Sequence, residues 1–179
     1  DCDMQVNKYL FSYGDIYSEH YVRLMSGKLG LTYAGLEDYA VIEQLLKMMQ
    51  TSQLDFTNTF RGLSQFKSAP GEKNSVLRDQ YIDRAEFDQW AGLYRVRLQA
   101  ESSNDAERKE RMDRVNPKYI LRNYLAQAAI SKAEKERDFS EVDRLLLLLS
   151  RPFDEQPQME SYAAPAPEWA RHIEVSCSS

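Results

Sequence analysis

Two cysteines, two histidines and seven glycines are all that 179 residues hold of three residue types on which much protein chemistry rests. Cys2 and Cys177 stand at opposite ends, which provides no disulfide framework and fits a reducing compartment. His20 and His172 are also far apart, 152 positions, and neither belongs to an H-E-x-x-H or C-x-x-C pattern, so no zinc site is expected. With so little glycine there is no G-x-G-x-x-G and no G-x-x-x-x-G-K-[ST] to cradle a phosphate, and a turn-rich β architecture is disfavoured. No G-x-S-x-G elbow supports a catalytic serine. Long apolar runs are missing too. The longest, Leu145 to Leu149, is five leucines, against the roughly 20 residues a bilayer span requires. No basic stretch leads into an apolar one at the start, so no signal peptide is visible. Nor is there a basic excess: the formal charge is -5, which argues against general nucleic-acid binding. The expectation is a chain with neither membrane nor nucleic acid as partner.

What is present is enough for a folded domain. Hydrophobic residues make up 42% and charged residues 28%, which separates this chain from disordered ones. Asp1-Cys2-Asp3-Met4 reads as the middle of something longer. The periodicity is helical almost throughout. From Tyr9 to Leu29, Ile16, Tyr17, His20, Tyr21, Leu24 and Met25 recur at helical spacing, and Gly30 stands where a C-terminal cap is expected. A second helix is predicted over Leu36 to Gln50, with Tyr39, Ile42, Leu45, Leu46 and Met49 on one face. Asp55 suits the cap of a short third helix carrying Phe56, Phe60 and Leu63. Ser64 to Ser75 reads as an exposed loop.

Phe87 to Leu98 predicts a fourth helix, with Phe87, Trp90, Leu93, Tyr94 and Leu98 in phase and the aromatic stripe in the core. Glu101 to Arg114 is mostly charged and predicts a solvated helix laced by i,i+4 pairs. Asn116-Pro117 looks like a helix start, with Asn116 as cap and Pro117 as first residue, the helix running to about Lys135. Ser140 is expected to cap a sixth helix, and its leucine run predicts a helix covered on most sides until Pro152 ends it. From Asp154 the composition changes. Pro157, Pro165 and Pro167 disfavour regular structure, so an extended C-terminal arm is expected, pinned by Tyr162 and Trp169. The predicted class is all-α: a helical bundle over 1–153, then a proline-containing arm over 154–179.

The order of several segments resembles a known family. Val115-Asn116-Pro117-Lys118-Tyr119-Ile120-Leu121-Arg122-Asn123-Tyr124-Leu125-Ala126 is similar to the V-N-P-x-x-x-L-R-N-x-L-A signature of the SelO (YdiU) family. Asp138-Phe139-Ser140-Glu141-Val142, the leucines and Arg151-Pro152-Phe153 resemble the segment that follows it there. Trp169 and Ile173-Glu174-Val175-Ser176-Cys177-Ser178-Ser179 resemble the family's ending, where some animal members carry selenocysteine at the Cys177 position. Lys28-Leu29-Gly30-Leu31, Asp55-Phe56-Thr57-Asn58-Thr59-Phe60-Arg61 and Arg84-Ala85-Glu86-Phe87-Asp88-Gln89-Trp90 agree as well.

The resemblance implies the C-terminal helical part of a protein-kinase-like, pseudokinase fold. SelO proteins bind ATP in a flipped orientation and transfer AMP to Ser, Thr or Tyr hydroxyls of other proteins, with Mg²⁺ or Mn²⁺ neutralising charge. The family's catalytic residues lie upstream of the matching region, so no catalytic residue is assigned here, and no ATP or metal is expected on this chain alone. Asp138-Phe139-Ser140 has a passing likeness to the metal-binding D-[FY]-G, but it sits at a helix cap. The implied partners are the N-terminal kinase-like lobe of the same protein and protein substrates, in a bacterial-type cytoplasm.

One functional residue carries over. The family's terminal cysteine is thought to pair with a cysteine near the activation segment, which implies a redox role for Cys177 in a full-length protein. Read without the resemblance, Cys177 is an ordinary free thiol. Asn116, Arg122 and Asn123 are polar members of the signature and stand either as ligand contacts or as hydrogen-bonding ties between loops. Two readings therefore remain: a supporting region of a SelO-type transferase, inactive by itself, or a non-enzymatic helical module that docks a partner.

Overall fold

A computed structural model of the chain describes residues 2–170. Those residues form eight α-helices and two 3-10 helices and contain no strand, so the all-α expectation holds. The chain divides into two compact units, residues 1–115 and 116–179. The change of composition at Asp154 thus falls inside the second unit.

The first unit begins with α1 (Cys2–Lys28), which at 1.5 Å per residue is about 40 Å long. It ends on Gly30. The Gly30 amide donates to the Gly27 carbonyl at 3.0 Å and the Leu31 amide to the Ser26 carbonyl at 3.0 Å, a closing turn that needs the positive φ of 71°. A side chain there would also have no room: a Cβ on Gly30 would lie 2.6 Å from Cγ of both Arg108 and Met112. α2 (Asp38–Thr51) turns Val41, Ile42, Leu45, Met48 and Met49 inward, whereas Tyr39, placed by periodicity on that face, is exposed. α3 (Phe56–Leu63) starts on Asp55, whose carboxylate accepts from the Asn58 amide at 2.9 Å. A single turn, α4 (Ser75–Arg78), precedes α5 (Arg84–Ala100), which is capped by Asp83 through the amides of Ala85 and Glu86.

α5 is the axis of the core. Phe87, Trp90, Tyr94 and Leu98 are buried along it, while Leu93 faces outward. The rings of Trp90 and Tyr94 stack at 5.1 Å, and Phe66 closes on Tyr94 at 5.0 Å. Trp90 Nε1 donates to the Val41 carbonyl at 2.9 Å and the Tyr94 hydroxyl to the Leu29 carbonyl, so both polar edges are satisfied inside. Burial pushes the Tyr94 phenol well above its usual range.

α6 (Asp105–Val115) departs from the solvated helix its composition predicts. Arg108 and Met112 are fully buried. Arg108 gives one guanidinium nitrogen to the Phe66 carbonyl and another to the Asp105 carboxylate at 2.6 Å, and its charge lies 5.9 Å from the Phe66 ring. A guanidinium with both terminal nitrogens engaged, though its buried Nε has no partner, tolerates burial that a lone charge does not. The loop over 64–74 brings Phe66 into the core to make this possible, so it is only partly the exposed loop its polar composition suggests.

A second buried polar cluster ties the ends of α1, α2 and α5. Asp38, with no solvent exposure, accepts from Arg97 Nε at 2.6 Å, the Gly35 amide at 3.0 Å and Ser26 Oγ at 3.4 Å. Arg97 also reaches Glu101 at 3.3 Å, which takes the Thr32 amide at 3.0 Å.

The second unit holds α7 (Asn123–Glu136), α8 (Ser140–Leu149) and the 3-10 helices Pro157–Ala163 and Glu168–Ala170. Its core is Tyr119, Leu125, Ala129, Leu145 and Leu148, with Met159 and Tyr162 packed against it. The leucine run is less covered than its sequence suggests, since Leu146 is 71% and Leu147 61% exposed. Where proline content predicts irregular chain, Pro157 opens a 3-10 turn, a position that loses nothing by lacking an N–H. Tyr162 does pin this stretch, by a 2.6 Å hydrogen bond to Glu141; Trp169 stays 70% exposed and only meets Tyr124 edge-on at 6.3 Å.

Candidate functional site

The signature segment opens the second unit, and its backbone is not helical where a helix start is expected. Residues 116–122 run as irregular chain, and α7 begins at Asn123, six residues after Pro117. The reason is local. A residue before proline is driven away from the α region, and here that residue, Asn116, is buried rather than poised at a helix end. The Lys118 and Tyr119 amides then find a non-helical partner, both donating to the Pro152 carbonyl, at 2.8 and 3.1 Å. Arg122, extended at φ -81° and ψ 145°, takes the cap position of α7.

Side chains reinforce this pairing. Lys118 Nζ lies 2.6 Å from carboxylate oxygens of both Glu155 and Glu160. Burial alone would lower the Lys118 pKa, but the hydrogen bonds to Glu155 and Glu160 outweigh it and hold the ammonium charged above its usual range. The buried Tyr119 hydroxyl donates to the Gln156 carbonyl at 3.0 Å. The Gln156 amide nitrogen in turn donates to the carbonyls of Leu148 and Arg151, at 3.1 and 2.9 Å, serving the end of α8. This is a clamp between two stretches of chain. A lysine kept charged by two carboxylates is neither a nucleophile nor a base.

The start of α8 is built the same way. Ser140 is its first residue rather than its cap, and Asp138 supplies the acceptor, taking the Ser140 amide at 2.8 Å. Lys132 reaches Asp138 at 2.9 Å and Ser140 Oγ at 3.0 Å. The Ser140 amide, and after it Lys132, hold the Asp138 carboxyl down to about 2. Its folded value thus lies below the unfolded one near 4, so its contribution is present above pH 4 and is lost as pH falls through about 2. Amide exchange of Ser140 is expected to stay slow from pH 7 to about 4 and to quicken between about 4 and 2 beyond its intrinsic pH dependence. Asp138→Asn should flatten that extra change, as NMR-detected exchange would show.

Of the residues singled out by sequence, Asn116, Arg122 and Asn123 lie within one short stretch: Asn116 buried, Arg122 half-buried, Asn123 exposed. Each has an interaction partner. Cys177 lies outside the described residues. Among the described residues no three His, Cys, Asp or Glu side chains come together to hold a metal ion. No described helix is long and apolar enough to cross a membrane. Lys118, Tyr119 and Gln156, which carry the clamp, were not singled out by sequence. The signal available was the Asn-Pro step, which favours extended chain as much as a helix start.

The family described as Protein adenylyltransferase SelO matches residues 3–150. A relative named Protein nucleotidyltransferase YdiU, from Burkholderia multivorans, is 54% identical over 157 residues, which is 88% of this chain and 30% of that protein. Proteins of the same name from Burkholderia vietnamiensis and Burkholderia pseudomallei are 53% and 52% identical, with the same shares covered. This chain spans about 30% of the length of the curated relatives it matches.

Proposed function

Because this chain belongs to the SelO family, we propose that it is the C-terminal helical region of a protein adenylyltransferase that moves AMP from ATP to Ser, Thr or Tyr hydroxyls of other proteins. Its part is to support a kinase-like lobe upstream. ATP and Mg²⁺ or Mn²⁺ belong to that lobe. Cys177 is the redox-sensitive thiol of the whole protein, which works in the cytoplasm.

The observation that carries this reading is the outer face of α1. Tyr13 and Tyr17 are 68% and 60% exposed, and Ile16 and Leu24 are exposed on the same helix. The rings of Tyr13, Tyr17 and Tyr21 stack in succession at 6.3 Å each. An ordered apolar stripe of this length is costly in water and marks a face made to be covered. In a chain spanning 30% of its relatives' length, the missing lobe is the natural cover.

The test is AMP transfer. The isolated chain, shown folded by circular dichroism, is incubated with labelled ATP, Mg²⁺ or Mn²⁺ and a protein acceptor beside a full-length relative. Label from the full-length protein alone is expected; label from the isolated chain would place an active site among these helices and overturn the proposal. Peptide mapping of the full-length protein under oxidising conditions should show the cysteine equivalent to Cys177 cross-linked.

A further inference from the structure

We propose that the groove between α3 and α4 is a docking site for a peptide segment that combines carboxylates with an apolar side chain. The groove encloses about 660 Å³. Its floor is Gly62 and the buried Leu77, with Val76 at its outer edge. Gly62 adds no side chain to it. Val76, 84% exposed, is the most exposed large apolar residue among the described residues.

The wall is a loop fixed in place. The Lys67 amide donates to Asn74 Oδ1 at 2.7 Å and Asn74 Nδ2 returns to the Lys67 carbonyl at 3.1 Å. The Ser68 amide donates to Asp105 at 3.0 Å, and Arg95 reaches the Glu72 carbonyl at 3.1 Å. Burial would raise the Asp105 carboxyl, but hydrogen bonds from Ser68 and Arg108 outweigh it and keep it ionised below its usual range. A wall held at four points is preorganised, which removes an ordering cost from binding.

The rim decides the ligand. Lys67 and Lys73 border the groove, and neither ammonium has a carboxylate within ion-pair distance among the described residues. Lys73 also borders a neighbouring depression of about 330 Å³ with Arg78, Arg95, Glu72 and Asp88. Asp88 is held by Arg78 through two hydrogen bonds of 2.7 and 2.9 Å, and the more distant Lys73 charge also acts on it. What remains is Lys67, Lys73 and Arg95 against Glu72, a locally positive edge on a chain of net charge -5. Positive rim and apolar floor fit carboxylates flanking a leucine or phenylalanine. No aromatic ring lines the groove, so a nucleotide base has nothing to stack on, whereas the Gln65 side-chain amide suits a peptide backbone. This inference does not depend on the transferase reading.

The test uses the whole chain and a fluorescein-labelled Glu-Asp-Leu-Phe-Asp-Glu peptide, followed by anisotropy at low salt. Saturable binding is expected, and it should weaken as salt rises through the screening of exposed charges. Lys67→Glu combined with Lys73→Glu should weaken it about tenfold or more, as should Val76→Asp or a peptide with Ser-Ser in place of Leu-Phe. These positions are exposed, so the fold is retained, and Lys67→Gln with Lys73→Gln serves as the milder check. Absence of saturation, indifference to the lysine variants, or equal displacement by pyrophosphate or ATP would each overturn the proposal; the last would mark a plain anion site.

Discussion

Asp38→Ala is expected to destabilise the first unit by about 3–5 kcal/mol, the scale of removing one partner from a buried ion pair. Asp38 is fully buried and holds three groups at once: the Arg97 guanidinium, the Gly35 amide and Ser26 Oγ. Alanine would leave a guanidinium that is itself largely buried with Glu101 alone to balance it, and a loop amide with no acceptor. The expected result is a fall in urea midpoint followed by circular dichroism. The double replacement Asp38→Leu with Arg97→Met should cost much less, because both charges leave together. If the single and double variants lose the same stability, the ion pair is not what holds the loop over 31–37 against α2 and α5.

Trp90→Ala should cost a comparable amount, about 3–5 kcal/mol, by a different route. The indole is fully buried and in ring contact with Phe66, Phe87 and Tyr94. Truncation leaves a cavity among aromatic side chains that cannot easily collapse, because the Tyr94 hydroxyl is tied to the Leu29 carbonyl. It also removes the Trp90 Nε1 hydrogen bond to the Val41 carbonyl, but that oxygen sits within α2 and keeps its helical donor, so the cavity is the larger part of the loss. Leu93→Ala, on the exposed side of the same helix, should stay within about 0.5 kcal/mol of the parent. The contrast between two neighbours three residues apart tests the assigned orientation of α5 directly.

That orientation was legible in the sequence. Phe87, Trp90, Tyr94 and Leu98 repeat at three and four, and burial follows the pattern, with Leu93 the exception because it falls beside the stripe rather than on it. Gly30 and Asp55 were legible for the same reason, since a closing turn and a cap are local events that a few residues decide. Arg108 was not. Periodicity counts an arginine as polar, and its burial depends on a carbonyl 42 residues earlier in the chain, at Phe66. The start of α7 was misplaced for a related reason. Asn-Pro suits both a helix start and an extended segment, and the choice was made by Pro152 and Gln156, far along the chain. Leu146 and Leu147 show the limit of hydropathy, which registers apolar character but not whether a cover is present. The signature residues Asn116, Arg122 and Asn123 were readable as a motif, yet the clamp beside them rests on Lys118, whose carboxylate partners no spacing rule pairs with it.

The clamp also bears on how the protein is made. Lys118 and Tyr119 give their amides to Pro152, and the Tyr119 hydroxyl is satisfied only by Gln156. During synthesis, roughly the first 118 residues leave the ribosome before any of those acceptors exists, so the segment over 116–122 has no template to settle on. Residues 1–115 already contain a complete core of their own and are free to fold as soon as they emerge. The second unit must wait for Pro152 and Gln156, so a ribosome that stalled before residue 156 would hold out a finished first unit while the segment over 116–122 still lacked its acceptors.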